Sequence, residues 1–598
     1  MALRAGLHGG HVGCKATLYG RLLSRVNARL ATGVARLAAV SRLAAGVARL
    51  AAGVARLAAV APFARCRATP DGAARYAAGG LAALCSRDVM DDEVPLRAVV
   101  IGSGVGGAAA ALLLSHAGIP TLLAEKERRL GGSAAAVERD GFRVDTGTHM
   151  LCRGEDGPLG DVLRRVGQVD AIAFRESAEP AALCFAGAAR GGRAGAERGG
   201  RVALPADLRR LAASALDLAR ALELTPLEAA RAARLLAHAT AMRDVDLAAC
   251  DDVTAEAYAA RFLPRPAAAA RLGGLLGLPL LLPGSEASAG EALLASRQLA
   301  RSGRQSYPEG GAARVPDVFC RLARELGAAV RTGTAVRRVL VRDRRVRGVE
   351  LEDGTTLSAG IVVSTAGLAS TVAELVGEPH FPEAYVARVR ALTPQPRQAQ
   401  VKIGLRRRLA AAGALAGLGG GAGAPALPFY CVAPTRFDPS LAPPGHELLC
   451  ACAVSGASGG ASPGAPAATV DELLRALAGA VPGLLSEAVF VDGSPGDERG
   501  PGAELAAGTA QTPGQVGRAR PAVYTPVRGL YLAGRAAGGR GAGMELAASS
   551  AMECVDRILV DLGRDLGAPA PPALIDIAGD LLGRVAASTV SWVARPRG

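Results

Sequence analysis

The sequence predicts an α/β fold: a doubly wound, nucleotide-type sheet that the chain leaves and re-enters, with a discontinuous α+β domain inserted between the visits. Three observations predict it. Short apolar runs ending in glycine recur at "RAVVIG" (97–102), "GIVVSTAG" (360–367) and "GLYLAG" (529–534), near both ends and in the middle. Residues 204–262 carry apolar side chains at three- and four-residue spacing, the period of a helix. From 334 the spacing changes to two, the period of a half-buried strand.

Taken in order, residues 1–94 stand apart from the fold. Residues 1–70 hold 11 Lys or Arg and no Asp or Glu, so most of the formal net charge of +15 sits there. The remaining 58 basic and 54 acidic residues leave about +4, which excludes a nucleic-acid reading. "GVARLAAVSRLAAGVARLAAGVARLAAV" (33–60) repeats a seven-residue unit punctuated by Arg36, Arg42, Arg49 and Arg56. Arg-rich, Ala-rich and free of acids, it reads as an organelle transit peptide, with a low-complexity helical tail as the bland alternative.

Residues 95–185 are expected to form the first part of the nucleotide domain. "RAVVIG" is a buried strand, "VGGAAAALLLSHAG" (105–118) a small-residue helix ended by Gly118, and "PTLLAE" (120–125) a second strand; together they make one βαβ unit. Residues 186–300 are a helical insertion, opening on the Gly/Arg loop "AGAARGGRAGAERGGR" (186–201). Residues 301–380 return to the nucleotide domain through a three-stranded meander, "TAVRRVLV", "RVRGVELEDG" and "TTLSAGIVVSTAG", turning at Asp353-Gly354. Residues 381–500 complete the inserted domain, with low-complexity loops at 409–427 and 456–468. Residues 501–564 supply the last nucleotide-domain part, and 565–598 an amphipathic tail.

Gly102-Ser103-Gly104-Val105-Gly106-Gly107 fits GxGxxG between a strand and a helix. Gly102 allows the tight turn, Gly104 lets the backbone approach a pyrophosphate, and Gly107 lets helix and strand pack closely. The phosphates are expected on unpaired N–H groups at the helix start. Glu125 closes the second strand, where a carboxylate can accept both ribose hydroxyls and repels a 2′-phosphate. This predicts a dinucleotide site over a plain βαβ core, with NAD and FAD both open at this point.

"EKERRLGGSAAAVERDGFRVDTGTH" (125–149) adds a glycine pair after the acid, then Asp145-Thr-Gly147-Thr-His149. Here the chain resembles the FAD-dependent amine-oxidase and phytoene-desaturase superfamily. Three further stretches resemble its phytoene desaturase/carotenoid isomerase branch: 306–339, 360–367 and 529–558. The resemblance spans roughly 97–560 and is specific in these four blocks. It implies a Rossmann-like FAD-binding domain of the glutathione-reductase type, beside a discontinuous α+β substrate domain. Carried over by position, it assigns Gly102, Ser103, Gly104 and Gly107 to the pyrophosphate and Glu125 to the adenosine ribose. Gly131, Gly132 and Ser133 line the isoalloxazine side, and Val336 contacts adenine through its backbone. Gly534, Gly543 and Met544 close over the flavin. Many relatives carry an acid after the glycine of "YLAG"; here Arg535 stands there, able to pair with a phosphate but unable to accept a hydrogen bond. Arg540 reads equally as a flavin-facing cation or a solvated loop residue.

No second GxGxxG lies between a strand and a helix, so FAD is the expected sole dinucleotide, with electrons passing to oxygen, a quinone or another direct acceptor. His149 is the ionisable residue expected nearest the flavin, as an acid/base or a structural hydrogen-bonder. Asp145 is expected to fix a loop, and Arg314 to be a surface or substrate-contact residue. The 11 cysteines are scattered without a CxxC pair and the seven histidines do not cluster with them, so no metal site is expected.

The resemblance implies a hydrophobic small molecule, a carotenoid or other isoprenoid, and hydride or electron exchange between a C–C bond and flavin N5. Desaturation, saturation and redox-neutral cis–trans isomerisation all fit. A flavin amine or protoporphyrinogen oxidase is the alternative enzyme, though aromatic residues are only 3% of the chain, which leans away from an amine-binding aromatic cage. A flavin-free, prenyl-binding escort-like protein is the non-enzyme alternative. Leu272–Leu282 and 573–593 are candidates for peripheral membrane contact, with core packing an equal explanation. With this function the expected destination of the N-terminal segment is the plastid, stroma or membrane surface, with the mitochondrion as runner-up.

Overall fold

The computed structural model describes residues 97–179, 181–185, 200–204, 215–302, 305–396, 398–418, 427–454, 469–494 and 508–564. The Arg-rich repeat, the core of the Gly/Arg loop, the 456–468 loop and the 573–593 segment lie outside them.

The chain begins as its βαβ pattern requires: β1 (Ala98–Ile101), α1 (Val105–His116) and β2 (Thr121–Ala124). A helix that is apolar all round must be buried all round. Accordingly α1 is buried from Val105 to Ser115. Leu112 and Leu114 are fully buried, each worth about 1.5–3 kcal/mol. Gly118, at φ +73°, follows the helix end. A hairpin, β3 (Ala136–Arg139) and β4 (Phe142–Asp145), then leads to α2 (Pro158–Arg165) and the short β5 (Phe174–Glu176).

The inserted domain starts earlier than the composition suggested. β6 (Ala181–Phe185) and β7 (Gly200–Leu204) pair as a hairpin across the Gly/Arg loop. They belong to the inserted sheet, which corrects the expected boundaries at 185 and 186. The loop's glycines and arginines hid the flanking period-two residues, of which Ala182, Leu183 and Val202 are buried.

Five helices follow: α3 (Ala215–Ala221), α4 (Pro226–Ala241), α5 (Asp244–Ala248), α6 (Ala255–Ala260) and α7 (Pro266–Gly277). Thr225 caps α4 in a reciprocal box with Glu228, and the Pro226 that follows begins the helix where its missing N–H costs nothing. After α7 the run through Leu282 turns inward. Leu272, Leu276, Leu280 and Leu282 are buried in a core shared with α4, α6 and α8 (Ala289–Ser302). Of the two readings of Leu272–Leu282, core packing is the one these four leucines take: they pack on the insertion's own helices.

The chain returns through β8 (Ser306–Pro308), α9 (Arg314–Glu325) and β9 (Ala329–Arg331). The meander is β10 (Val336–Arg342), β11 (Arg345–Leu351) and β12 (Thr356–Ser358), antiparallel throughout. Its third strand is shorter than predicted. The continuously apolar β13 (Ile361–Ser364) is buried on both faces and joins the parallel sheet instead. α10 (Glu383–Ala391) also stays with the nucleotide domain, its Val386 and Val389 packing in the cluster that holds Val362 and Phe381. This moves the expected boundary at 381 towards 400.

The inserted sheet is completed by β14 (Gln400–Leu405), β15 (Ala414–Gly417), β16 (Phe429–Val432), β17 (Glu447–Ala453) and β18 (Ala488–Ser494), with α11 (Val470–Ala480) between the last two. Its order is β18-β14-β17-β16-β15-β6-β7. β19 (Leu530–Leu532) and α12 (Gly543–Asp561) close the nucleotide domain. The parallel sheet reads β19-β13-β1-β2-β9, and α1 packs between it and both α9 and α12. All three apolar runs that ended in glycine thus lie side by side, and their glycines share one sheet edge. Among the described residues no helix is long and apolar enough to cross a membrane.

Candidate functional site

The site begins where β1 ends. Gly102 sits at φ +95°, and a β-carbon there would lie 2.5 Å from Thr365 Oγ1. A β-carbon on Gly107 would overlap the Gly102 carbonyl. The turn is therefore closed to any side chain at either position. Gly104 is different: nothing lies within 4 Å of where its β-carbon would stand. No side chain caps α1, so its first N–H groups point past Gly104 into that open space. This is a cradle for an anion, and it fits a pyrophosphate.

Ser103 and Glu125 lock the turn to β2. The Ser103 N–H and hydroxyl both donate to Glu125 Oε2, at 2.7 and 2.6 Å, and the Glu127 N–H donates to Oε1 at 2.9 Å. A carboxylate has about four lone-pair directions, and three are taken. One remains for a ribose hydroxyl, so accepting both requires the Ser103 hydroxyl to turn away. The Thr334 N–H donates to the Glu125 carbonyl at 2.7 Å, which brings Val336, at the start of β10, to the same side.

The second glycine pair folds back onto the first. The Gly131 N–H donates to Ser103 Oγ at 3.0 Å, and Gly131 bridges Gly104. Gly131 and Gly132, at φ +109° and +56°, start a single 3₁₀ turn that leaves Gly132 and Ser133 exposed to the cleft. On the other side, a β-carbon on Gly106 would come within 2.8 Å of the Gly534 Cα. Three glycine segments from distant parts of the chain therefore meet backbone to backbone.

His149 Nε2 lies 2.9 Å from the Ser133 carbonyl. A carbonyl only accepts, so the ring donates from Nε2. Burial, with Lys402 and Arg535 nearby, lowers the imidazole pKa below its usual 6.5, while Asp145 and the Ser133 carbonyl pull the other way. Asp145 fixes a loop, as expected: its Oδ2 accepts from Tyr307 Oη (2.8 Å) and the Ala312 N–H (3.0 Å). Arg314 is exposed at the start of α9.

Lys402 was not singled out from the sequence, although a lone cation in "QVKIGL" is a signal. It is buried on β14, with Nζ donating to Thr148 Oγ1 (2.9 Å) and Gln400 Oε1 (3.1 Å). Arg535 leaves the Gly534 turn, and its guanidinium has no hydrogen-bond or ion-pair partner among the described residues. Burial alone lowers its pKa. Two cations, Lys402 and Arg535, thus act on His149 against the Asp145 carboxylate.

The loop after β19 is held from outside. Arg520 donates to the carbonyls of Gly538 and Arg535, both at 2.6 Å. Ser550 Oγ donates to the Ala537 carbonyl at 2.5 Å, and the Gly539 N–H donates to Glu553 at 2.7 Å. Arg540 is neither flavin-facing nor a solvated loop residue: it reaches the insertion, donating to Glu291 Oε1 (2.8 Å) and Asp251 Oδ1 (2.6 Å). Beyond it, Gly543 opens α12 without a side-chain cap and with nothing within 4 Å of its missing β-carbon. Met544 lines a cavity of about 60 Å³ between this loop and α8, whose walls include Leu151, Pro279, Ala295, Leu299 and Ala542. Its polar edge is Gln298 and the ion pair between Arg153 and Glu545, at 2.9 Å. No group of His, Cys, Asp or Glu suited to a metal ion occurs among the described residues.

A family model for flavin containing amine oxidoreductases matches residues 105–559. Over 71 residues the chain is 42% identical to the all-trans-retinol 13,14-reductase of Homo sapiens, a stretch that is 12% of each chain. Over 48 residues it is 50% identical to the carotenoid 3,4-desaturase of Haloarcula japonica, covering 8% of this chain and 10% of that one. The chain thus matches about a tenth of the length of these curated relatives. An oxidoreductase of Methanosarcina mazei shares the fold at a TM-score of 0.57 and 21% identity, with 77% of this chain and 100% of that one covered.

Proposed function

Because this chain belongs to the family of flavin containing amine oxidoreductases and is an FAD-dependent enzyme, we propose that its substrate is a polyene or other isoprenoid, in a reaction of the carotenoid desaturase or cis–trans isomerase type. The observation that carries the reading is that the sequence relatives named above act on retinol and on a carotenoid. The cavity beside the flavin-side loop, at about 60 Å³, has room for only a small apolar part of such a guest. Its lining is mostly apolar, with Arg153, Gln298 and Glu545 as its polar members. A flexible, unbranched thioether such as Met544 suits an extended apolar guest.

Bound FAD supplies two-electron exchange with a carbon–carbon bond. The chain's own residues bind, orient and exclude water. The α1 N-terminus and Gly104 receive the diphosphate, and Glu125 receives one ribose hydroxyl. Gly131, Gly132 and Ser133 form one side of the ring site, with His149 holding the Ser133 carbonyl. Gly534, Gly543 and Met544 form the other. A neutral His149 gives the site no proton at pH 7, so its place in this reading is to position Ser133.

The test is anaerobic incubation of the FAD-loaded chain with cis-carotenes, followed by chromatography and mass analysis. A product of unchanged mass and shifted retention means isomerisation. Loss of two hydrogens with bleaching near ~450 nm, the flavin's own band, means desaturation. No product, together with hydrogen peroxide release on an amine or a porphyrinogen, sinks the polyene reading. As part of the same proposal, residues 1–94 direct the protein to a plastid. A fluorescent fusion of this segment that stays in the cytosol overturns that part.

A further inference from the structure

Arg540 lies in the loop between β19 and α12, six residues after Gly534, yet its partners come from the helical insertion. Glu291 stands on the first turn of α8 and Asp251 in the turn after α5. Both carboxylates are buried, Glu291 at 1% and Asp251 at 5% exposure. Arg540 donates Nε to the first and Nη2 to the second, and the Gly541 N–H adds a bond to Glu291 Oε2 at 3.3 Å. The seat of Asp251 is built for it. A β-carbon on either Gly290 or Gly517 would overlap its carboxylate oxygens, so two further segments give up side chains to let it in. Ser288 Oγ holds the Asp251 carbonyl at 2.9 Å. Burying two carboxylates is costly unless a cation meets both. This one does, and it belongs to the loop that closes the flavin cleft.

The same loop carries Ala542 and Met544 into the apolar cavity, while α8 contributes Ala295 and Leu299 to its opposite wall. A chamber with one wall on each domain is only as defined as the joint between them. We propose that Arg540 is a positioning residue: by clasping Asp251 and Glu291 it fixes the Gly534–Gly543 loop against the helical insertion, so that the flavin seat and the substrate wall are held as one piece. The proposal rests on the reading that this loop closes over FAD.

The test needs FAD alone and no substrate, so its outcome is separate from that of the polyene assignment. Flavin is stripped from the purified full chain and rebound by titration, for the wild type, Arg540→Gln and Arg540→Lys. Arg436→Gln serves as control: it breaks another pair with a buried carboxylate, Arg436–Glu447 at 2.7 Å, inside the inserted sheet. Arg540→Gln removes both charge-assisted contacts and, by loosening the loop, is expected to raise the FAD Kd about tenfold. It should also change the visible circular dichroism of the bound flavin, with Arg540→Lys recovering part of both. Arg436→Gln should lower the unfolding temperature and leave the Kd and the spectrum as they are. If Arg540→Gln also lowers only the unfolding temperature, the residue is merely structural and the proposal is overturned. Should that variant not accumulate folded, Glu291→Gln keeps the side chain's shape and removes its charge. An unchanged Kd and spectrum there overturns the proposal equally.

Discussion

The two walls of the flavin cleft are made by opposite means. One wall, residues 101–133, is made by removing side chains. Gly102, Gly107 and Gly131 each stand where a β-carbon would meet neighbouring atoms within 3 Å, and the buried carboxylate of this wall, Glu125, is tied to the glycine turn itself. The other wall, residues 508–545, is held by long charged side chains. Arg520 clasps two of its carbonyls, Arg540 reaches two carboxylates of the insertion, and Glu545 meets Arg153. A backbone wall tolerates almost no change and needs no partner. A side-chain wall depends on what the rest of the chain offers it. The difference should appear in how each wall fails.

Gly107→Val should produce the largest effect. Overpacking costs about 1–3 kcal/mol in an ordinary core; here the branched group would collide with a carbonyl that cannot move without undoing the turn. The expected result is protein purified without yellow colour and with a clearly lowered unfolding temperature. Full flavin content in that variant would break the distinction between the walls. Glu125→Ala should come next. It leaves the buried N–H of Ser103 without a partner, at about 1–3 kcal/mol, and removes a ribose acceptor, so the FAD Kd should rise between tenfold and a hundredfold by titration.

Arg535 sharpens the comparison, because it sits on the charged wall without a partner there. If the diphosphate is its counter-ion, Arg535→Gln should weaken FAD binding about tenfold and Arg535→Glu more, since a charge-assisted bond is lost in the first and reversed in the second. Tighter binding in either would mean that the arginine opposes the cofactor at the position where many relatives place an acid.

This division also explains what could be read from the chain alone. The glycine wall was legible because its logic is local: turn, helix start and Glu125 fall within 24 residues, and each glycine answers a steric need that spacing reveals. Asp145 was legible as a loop-fixing acid from its place at a strand end, but its partners were not: Tyr307 and Ala312 lie 162 and 167 residues away. The charged wall was not. Arg540 finds Asp251 at a separation of 289 residues and Glu291 at 249, and Lys402 finds Thr148 at 254. Nothing in composition or period marks one arginine among many for such a partner. The hairpin of β6 and β7 was hidden differently: its pairing residues flank a loop so rich in glycine and arginine that the flanks read as part of it.

The smallest expected effect tests whether His149 belongs to the glycine wall as a neutral strut. Its folded pKa is depressed by burial, with Lys402 and Arg535 adding to it, whereas the unfolded ring titrates near 6.5. Above 6.5 both states are neutral and the group contributes nothing that varies with pH. As pH falls through 6.5 the unfolded chain takes up a proton that the folded chain refuses, so stability is lost on acidification until the folded ring also protonates. The slope is at most about 1.4 kcal/mol per pH unit. His149→Gln retains an N–H able to reach the Ser133 carbonyl but has no proton to gain, so the unfolding free energy should depend less on pH between 6.5 and 5 than in the wild type. An equal change in unfolding free energy between those two pH values for both proteins would mean that the folded ring takes up its proton as readily as the unfolded one, and His149 would return as an ionisable group beside the flavin.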